Sequence, residues 1–71
     1  MNINYLRTFL TVLETGSFSA AARMLSLTQP AVSMQIQALE DYFGTKLLER
    51  RGRGLELTRA GELALRNVSH L

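Results

Sequence analysis

The reactive inventory of this 71-residue sequence is made of amides, hydroxyls and arginines. Residues 28–37 read Thr28-Gln29-Pro30-Ala31-Val32-Ser33-Met34-Gln35-Ile36-Gln37. At helical spacing this puts Pro30, Ser33, Met34 and Gln37 on one face, with no acid on it before Asp41. Such a face is suited to the edges of paired bases, where a carboxylate would be repelled by the surrounding phosphates. A second cluster, Arg50-Arg51-Gly52-Arg53-Gly54, places forked cations beside residues that turn easily. Arg51 and Arg53 at such a tip could reach phosphates or a narrow minor groove.

Enzymatic constellations are missing. His70, the single histidine, has no nucleophile or acid near it in sequence to form a dyad or triad. There is no phosphate-cradling G-x-x-x-x-G-K loop. Glu40 and Asp41 are adjacent, so on a helix they point in different directions and build no paired-carboxylate site. With no cysteine there is neither a disulfide nor a thiolate metal site. No enzyme, metal or cofactor is therefore expected.

The length allows one small domain with a thin core, since a chain this size buries only about 60% of its unfolded surface. At 46% hydrophobic residues it is not disordered, and no apolar run approaches the ~20 residues of a membrane span. The start, Met1-Asn2-Ile3-Asn4-Tyr5, is no secretory signal, which fits a cytoplasmic protein. The net charge is only +2, but it is unevenly spread. Residues 15–39 hold no acid and one base, Arg23, whereas residues 46–59 hold five bases against Glu49 and Glu56.

These clusters need elements to position them. Leu6, Phe9, Leu10 and Leu13 form an apolar stripe on a helix over residues 4–14, with Asn2 or Asn4 as cap and Gly16 as stop. A short helix over 19–25 follows, with Ser19 as N-cap and the small Ala20, Ala21 and Ala22 allowing close approach; Phe18 anchors its entry. After the turn Ser26-Leu27-Thr28, a helix over 29–43 begins with Thr28 as N-cap and Pro30 in its first turn, and ends at Gly44. Val32, Ile36, Leu39 and Phe43 are its core stripe. Two runs, 46–50 and 55–58, flank the glycine turn as a hairpin. A last helix over 59–71 carries Ala60, Leu63, Ala64, Val68 and Leu71 on one side. It spans about 20 Å, longer than so small a core requires, so this stripe is expected to pair with a second chain rather than fold back. Its open end predicts that the chain is the N-terminal piece of something longer.

Helix, short helix, three-residue turn, helix and basic hairpin make a mainly α fold, a winged helix-turn-helix. It has a three-helix core, a β-hairpin wing and a C-terminal helix: a domain over 1–58 and a linker from 59. In such a fold the third helix enters the major groove of DNA. The ordered set Ala20-Ala21-Ala22-Arg23-Met24-Leu25, Thr28-Gln29-Pro30-Ala31-Val32-Ser33, Ala38-Leu39-Glu40, Gly44-Thr45-Lys46-Leu47-Leu48-Glu49-Arg50 and Leu57-Thr58-Arg59-Ala60-Gly61-Glu62 resembles the N-terminal domain of LysR-type bacterial transcriptional regulators. The likeness runs from Ile3 to about Leu65 without gaps.

The resemblance implies a sequence-specific protein that binds double-stranded DNA, acting as a homodimer or tetramer on dyad-symmetric promoter sites at the nucleoid. Gln29, Pro30, Ser33 and Met34 would face bases, with Gln37 beyond them. Ser17, Thr28, Gln35 and Arg50 would lie near the backbone, and Arg53 at the minor groove. The helix carrying Leu63, Ala64, Val68 and Leu71 would be the dimerising linker. A small-molecule effector would bind only a further, C-terminal domain. Met34 and Gln37 stand where arginine is frequent, so more of the phosphate attraction should fall to the wing, and Leu48 stands where Phe is usual. Met34 is equally readable as neutral surface, and Arg50 as a partner of Glu49 or a helix carboxylate. Arg23 reads equally as a surface partner of Glu14. The reading from another class is a winged-helix protein-interaction module without DNA affinity.

Overall fold

The computed structural model describes residues 1–52 and 54–68. In chain order the elements are α1 (Ile3–Thr15), α2 (Phe18–Leu25), α3 (Gln29–Phe43), β1 (Leu48–Arg51), β2 (Gly54–Leu57) and α4 (Arg59–Val68). This is the expected mainly helical, winged helix-turn-helix layout.

The local signals explain most boundaries. Asn2, rather than Asn4, caps α1: its side chain accepts the Asn4 N–H at 2.9 Å. Gly16 ends the helix at φ +73°, a left-handed conformation open to glycine at no steric cost. Thr28 caps α3 by accepting from the Ala31 N–H at 3.2 Å. The expected cap of α2 needs correction. Ser17, not Ser19, is the N-cap, accepting from Ala20 N–H at 3.2 Å. The helix therefore starts at Phe18, and Ser19 is left with an exposed side chain free for another task.

The core joins Leu6, Phe9 and Val12 of α1 to Ala21 and Ala22 of α2 and Val32, Ile36 and Leu39 of α3. Leu47, Leu48 and Ala64 close it from the wing side. The α1 stripe is rotated from the expected one. Burial centres between Phe9 and Val12, which turns Leu10 to the far side, where it is 44% exposed. Ala21 is fully buried, so the alanine stretch acts as the expected point of close approach.

The wing is a two-stranded antiparallel sheet in which Leu48 faces Leu57 and Arg51 faces Gly54. Its strands are shorter than expected at Lys46 and Leu47. The Leu47 N–H leaves the ladder and donates to the Glu40 carboxylate at 2.7 Å, while its carbonyl accepts from Thr58 N–H at 3.0 Å. A hairpin alone is marginal, so this anchoring to α3 supplies what two strands lack.

The last helix folds back on its own domain. Thr58 starts it by accepting the Gly61 N–H at 2.9 Å, and its hydroxyl donates to the Lys46 carbonyl at 2.7 Å. Gly61 is buried against the wing root: a Cβ there would lie 2.4 Å from the Leu47 carbonyl oxygen. Ala64 is buried in the core and Leu65 packs against it. Ala64, expected on the partner-facing stripe, is thus buried within its own domain. Leu63 stays 48% exposed. Leu71 and His70 lie outside the described residues, as does the side chain of Val68.

Candidate nucleic-acid interface

The first two turns of α3 present the face expected from spacing. Gln29, Pro30, Ser33, Met34 and Gln37 are all exposed, while Val32 and Ile36 between them are buried. The capping that starts the helix also uses its donors. Pro30 has no N–H, Ala31 N–H goes to the Thr28 hydroxyl, and Val32 N–H goes to the Thr28 carbonyl. The helix dipole still favours an anion, yet the end offers few free amides, so side chains must make the contacts.

Those side chains are not equally free. Ser19 Oγ on α2 donates to Gln29 Oε1 at 3.0 Å. Gln37 Nε2 donates to Asp41 Oδ1 one turn further on, at 3.0 Å, which turns the Gln37 amide along its own helix. Gln35 is half-buried, and its Oε1 accepts the buried Thr8 hydroxyl at 2.5 Å, tying α3 to α1. Met34 is 52% exposed and, having no donor, can only pack, for instance on a thymine methyl.

The wing stands beside this face. Arg50 is exposed, and among the described residues it makes no ion pair; the alternative pairing with Glu49 or a helix carboxylate does not form. Among the described residues Arg23 has no ion pair with Glu14 either. Arg51 lies 3.7 Å from Glu56 across the hairpin, both ends well exposed, a pair that adds little to stability. Arg53 lies outside the described residues.

One open cleft of about 250 Å³ gathers Ser17, Phe18, Ser19, Gln29, Arg50 and Leu55. It joins the starts of α2 and α3 to the wing, and among the described residues no acid lines it. A neighbouring cleft between α3 and the wing brings Ser33 and Gln37 to the same Arg50. Gln35 belongs to a different hollow, with Asn4, Arg7 and Leu27. Arg50 thus borders both clefts, Ser17 and Gln29 lining one and Ser33 the other, while Gln35 lies apart from them.

Two residues escaped the sequence reading. Ser19 was assigned to a cap. Glu40 enters the sequence reading only beside Asp41, as no paired-carboxylate site, although its position four residues after Ile36 puts it on the inward stripe of α3. It is 7% exposed and accepts from Leu47 N–H and, at 3.4 Å, from Leu48 N–H, with Lys46 Nζ 3.9 Å away. A carboxylate on a core stripe is a signal that a buried partner exists. Among the described residues no three His, Asp or Glu side chains converge to hold a metal, and no helix is long and apolar enough to cross a membrane.

Residues 3–62 match the model for the bacterial regulatory helix-turn-helix protein, lysR family. The chain is 52% identical over 62 residues to the transcriptional regulator BudR of Raoultella terrigena, covering 87% of this chain and 21% of BudR. It is 45% identical over 71 residues to TfdT of Cupriavidus pinatubonensis, covering 100% of this chain and 31% of TfdT. The chain thus spans less than a third of either relative. Among solved structures, a transcriptional regulator of the LysR family from Eggerthella lenta superposes with a TM-score of 0.85 at 42% identity, over 97% of this chain and 99% of that one. The DNA-binding domain of CbnR in complex with DNA superposes with a TM-score of 0.83 at 43% identity, over 99% and 80%.

Proposed function

Because this chain belongs to the lysR family of bacterial regulatory helix-turn-helix proteins, we propose that it is the sequence-specific DNA-binding domain of a transcriptional regulator. The first two turns of α3 enter the major groove, with Gln29, Pro30, Ser33 and Met34 toward base edges. Arg50, Arg51 and Arg53 of the wing meet the backbone or the flanking minor groove. Ser17 and Thr28 serve first as helix caps and lie near phosphate second. Gln35 acts chiefly by holding α1 to α3, and Gln37 has its amide turned toward Asp41. The observation that carries this reading is the acid-free cleft in which Ser17, Gln29 and Arg50 converge. An arginine without an ion pair among the described residues, beside an uncharged helix start, is complementary to a phosphate track flanking readable bases. The relatives are named as transcriptional regulators rather than enzymes.

Two copies bind two half-sites, joined through α4. Leu63, exposed on that helix, and Val68 are the partner-facing residues, with Leu71 continuing the stripe and Ala64 seated beneath it in the core. The dimer geometry then sets half-site spacing. Such a regulator works where duplex DNA is, at the nucleoid in the bacterial cytoplasm.

Selection from random DNA duplexes at physiological salt, with the full chain as bait, tests the reading. Recovery of a dyad-symmetric motif supports a sequence-specific dimer. No recovery from a folded sample would overturn it.

A further inference from the structure

Ser19 is not the cap of α2. Ser17 caps α2, and the Ser19 side chain is exposed. Its hydroxyl nevertheless crosses from α2 to α3 and donates to Gln29 Oε1 at 3.0 Å, within the cleft that Arg50 and Ser17 also line. A glutamine amide has two ends of similar size and opposite hydrogen-bonding character. Here the carbonyl end is the one tied back to α2, which among the described residues leaves the Nε2 end, with its two N–H donors, as the free end.

We propose that Ser19 is a positioning residue for base selection: its hydroxyl holds Gln29 with its amide donors outward, so that Gln29 selects a base edge that accepts hydrogen bonds. This rests on the reading of Gln29 as base-facing. A glutamine free to turn pairs with adenine through both ends, donating to N7 and accepting from N6. With its carbonyl held by Ser19, the accepting half of that pairing is weakened. Guanine, with N7 and O6, and thymine, with O4, suit a donor, whereas the exocyclic amine of cytosine opposes it. Specificity at this step is thus set by a residue that touches no base, ten positions upstream of the one that does.

The test uses the full chain as wild type, Ser19→Ala, Ser19→Thr, Gln29→Ala and the Ser19→Ala/Gln29→Ala double variant. Affinities are measured on the selected duplex and on all single-base variants of it, beside a thermal melt of each protein. The position whose preference Gln29→Ala flattens is the Gln29 contact. There, wild type should favour guanine or thymine. Ser19→Ala should shift the preference toward adenine by about fivefold, the worth of one intramolecular hydrogen bond, with an unchanged melt. Ser19→Thr should restore the wild-type preference, and Ser19→Ala should add nothing in the Gln29→Ala background. If Ser19→Ala instead weakens every duplex equally, Ser19 is a phosphate contact and the inference fails while base reading by Gln29 stands. If Gln29→Ala flattens no position, the base-facing reading fails and takes the inference with it.

Discussion

The buried Glu40 carboxylate of α3 accepts the Leu47 N–H at 2.7 Å, and by this bond α3 holds the root of the wing. The same oxygen also receives the Leu48 N–H at 3.4 Å. Without that acceptor, two amides at the start of the hairpin would be enclosed without a partner. The geometry between α3 and the wing, on which any simultaneous contact with a groove and its flank depends, therefore passes through one side chain.

Glu40→Ala should lower stability by about 2 kcal/mol, because buried N–H groups lose their acceptor. In a domain of this size that is on the order of 10 °C in thermal midpoint. Glu40→Gln keeps an acceptor and should retain most of the stability. Lys46→Ala should change little, since the lysine end of that ion pair is 76% exposed. Thermal unfolding of the three variants checks the order.

Gly61→Ala should destabilise the domain, although alanine is the better helix former by about 1 kcal/mol. The added methyl would meet the Leu47 carbonyl oxygen at 2.4 Å, and backbone cannot move aside as a side chain can. A cost of roughly 1–3 kcal/mol, typical of overpacking, is expected in urea titration. A gain in stability would mean that α4 is not seated on the wing root.

Wing arginines should differ in their contribution to salt dependence. Removing a phosphate contact lowers the slope of log affinity against log salt by about 0.9. Arg50→Ala and Arg53→Ala should each show such a loss. Arg51→Ala should show less, because Glu56 lies 3.7 Å from its guanidinium. Binding titrations over a range of salt concentrations measure this, and an unchanged slope for both Arg50 and Arg53 would remove the wing from the interface.

Ser33→Ala should relax base preference at one position, a good base contact being worth about 1–3 kcal/mol. Met34→Ala should matter only where a thymine methyl is lost from contact. Affinity panels on single-base variants distinguish this from uniform weakening, which would make Ser33 a positioning residue.

On α4, Leu63→Asp with Val68→Asp should yield a folded monomer, since Leu63 is exposed. Ala64→Asp should instead unfold the domain, because that site lies in the core. Sedimentation and circular dichroism together separate loss of partner from loss of fold.

Element order, most of the caps and the face of α3 were legible in the residues alone. Those depend on neighbours along the chain: Thr28 and Pro30 start a helix, Gly16 and Gly44 stop one, and 3.6-residue periodicity separates Val32, Ile36 and Leu39 from Ser33, Met34 and Gln37. The family likeness was legible for the same reason, being an ordered string. The remaining features depend on residues far apart in the chain. Leu10 was read as core because its spacing from Leu6 suits a helix stripe, but the direction of the buried face is set by where α2 and α3 sit. Ala64 was read as partner-facing because a short apolar stripe has no address; Gly61, by admitting the Leu47 carbonyl, gives it one. Glu40 with Leu47, Thr8 with Gln35 and Ser19 with Gln29 are hydrogen bonds between elements, each between side chains or amides whose types alone name many partners. Periodicity tells a side chain which way it faces on its own helix; only packing tells it what it meets there.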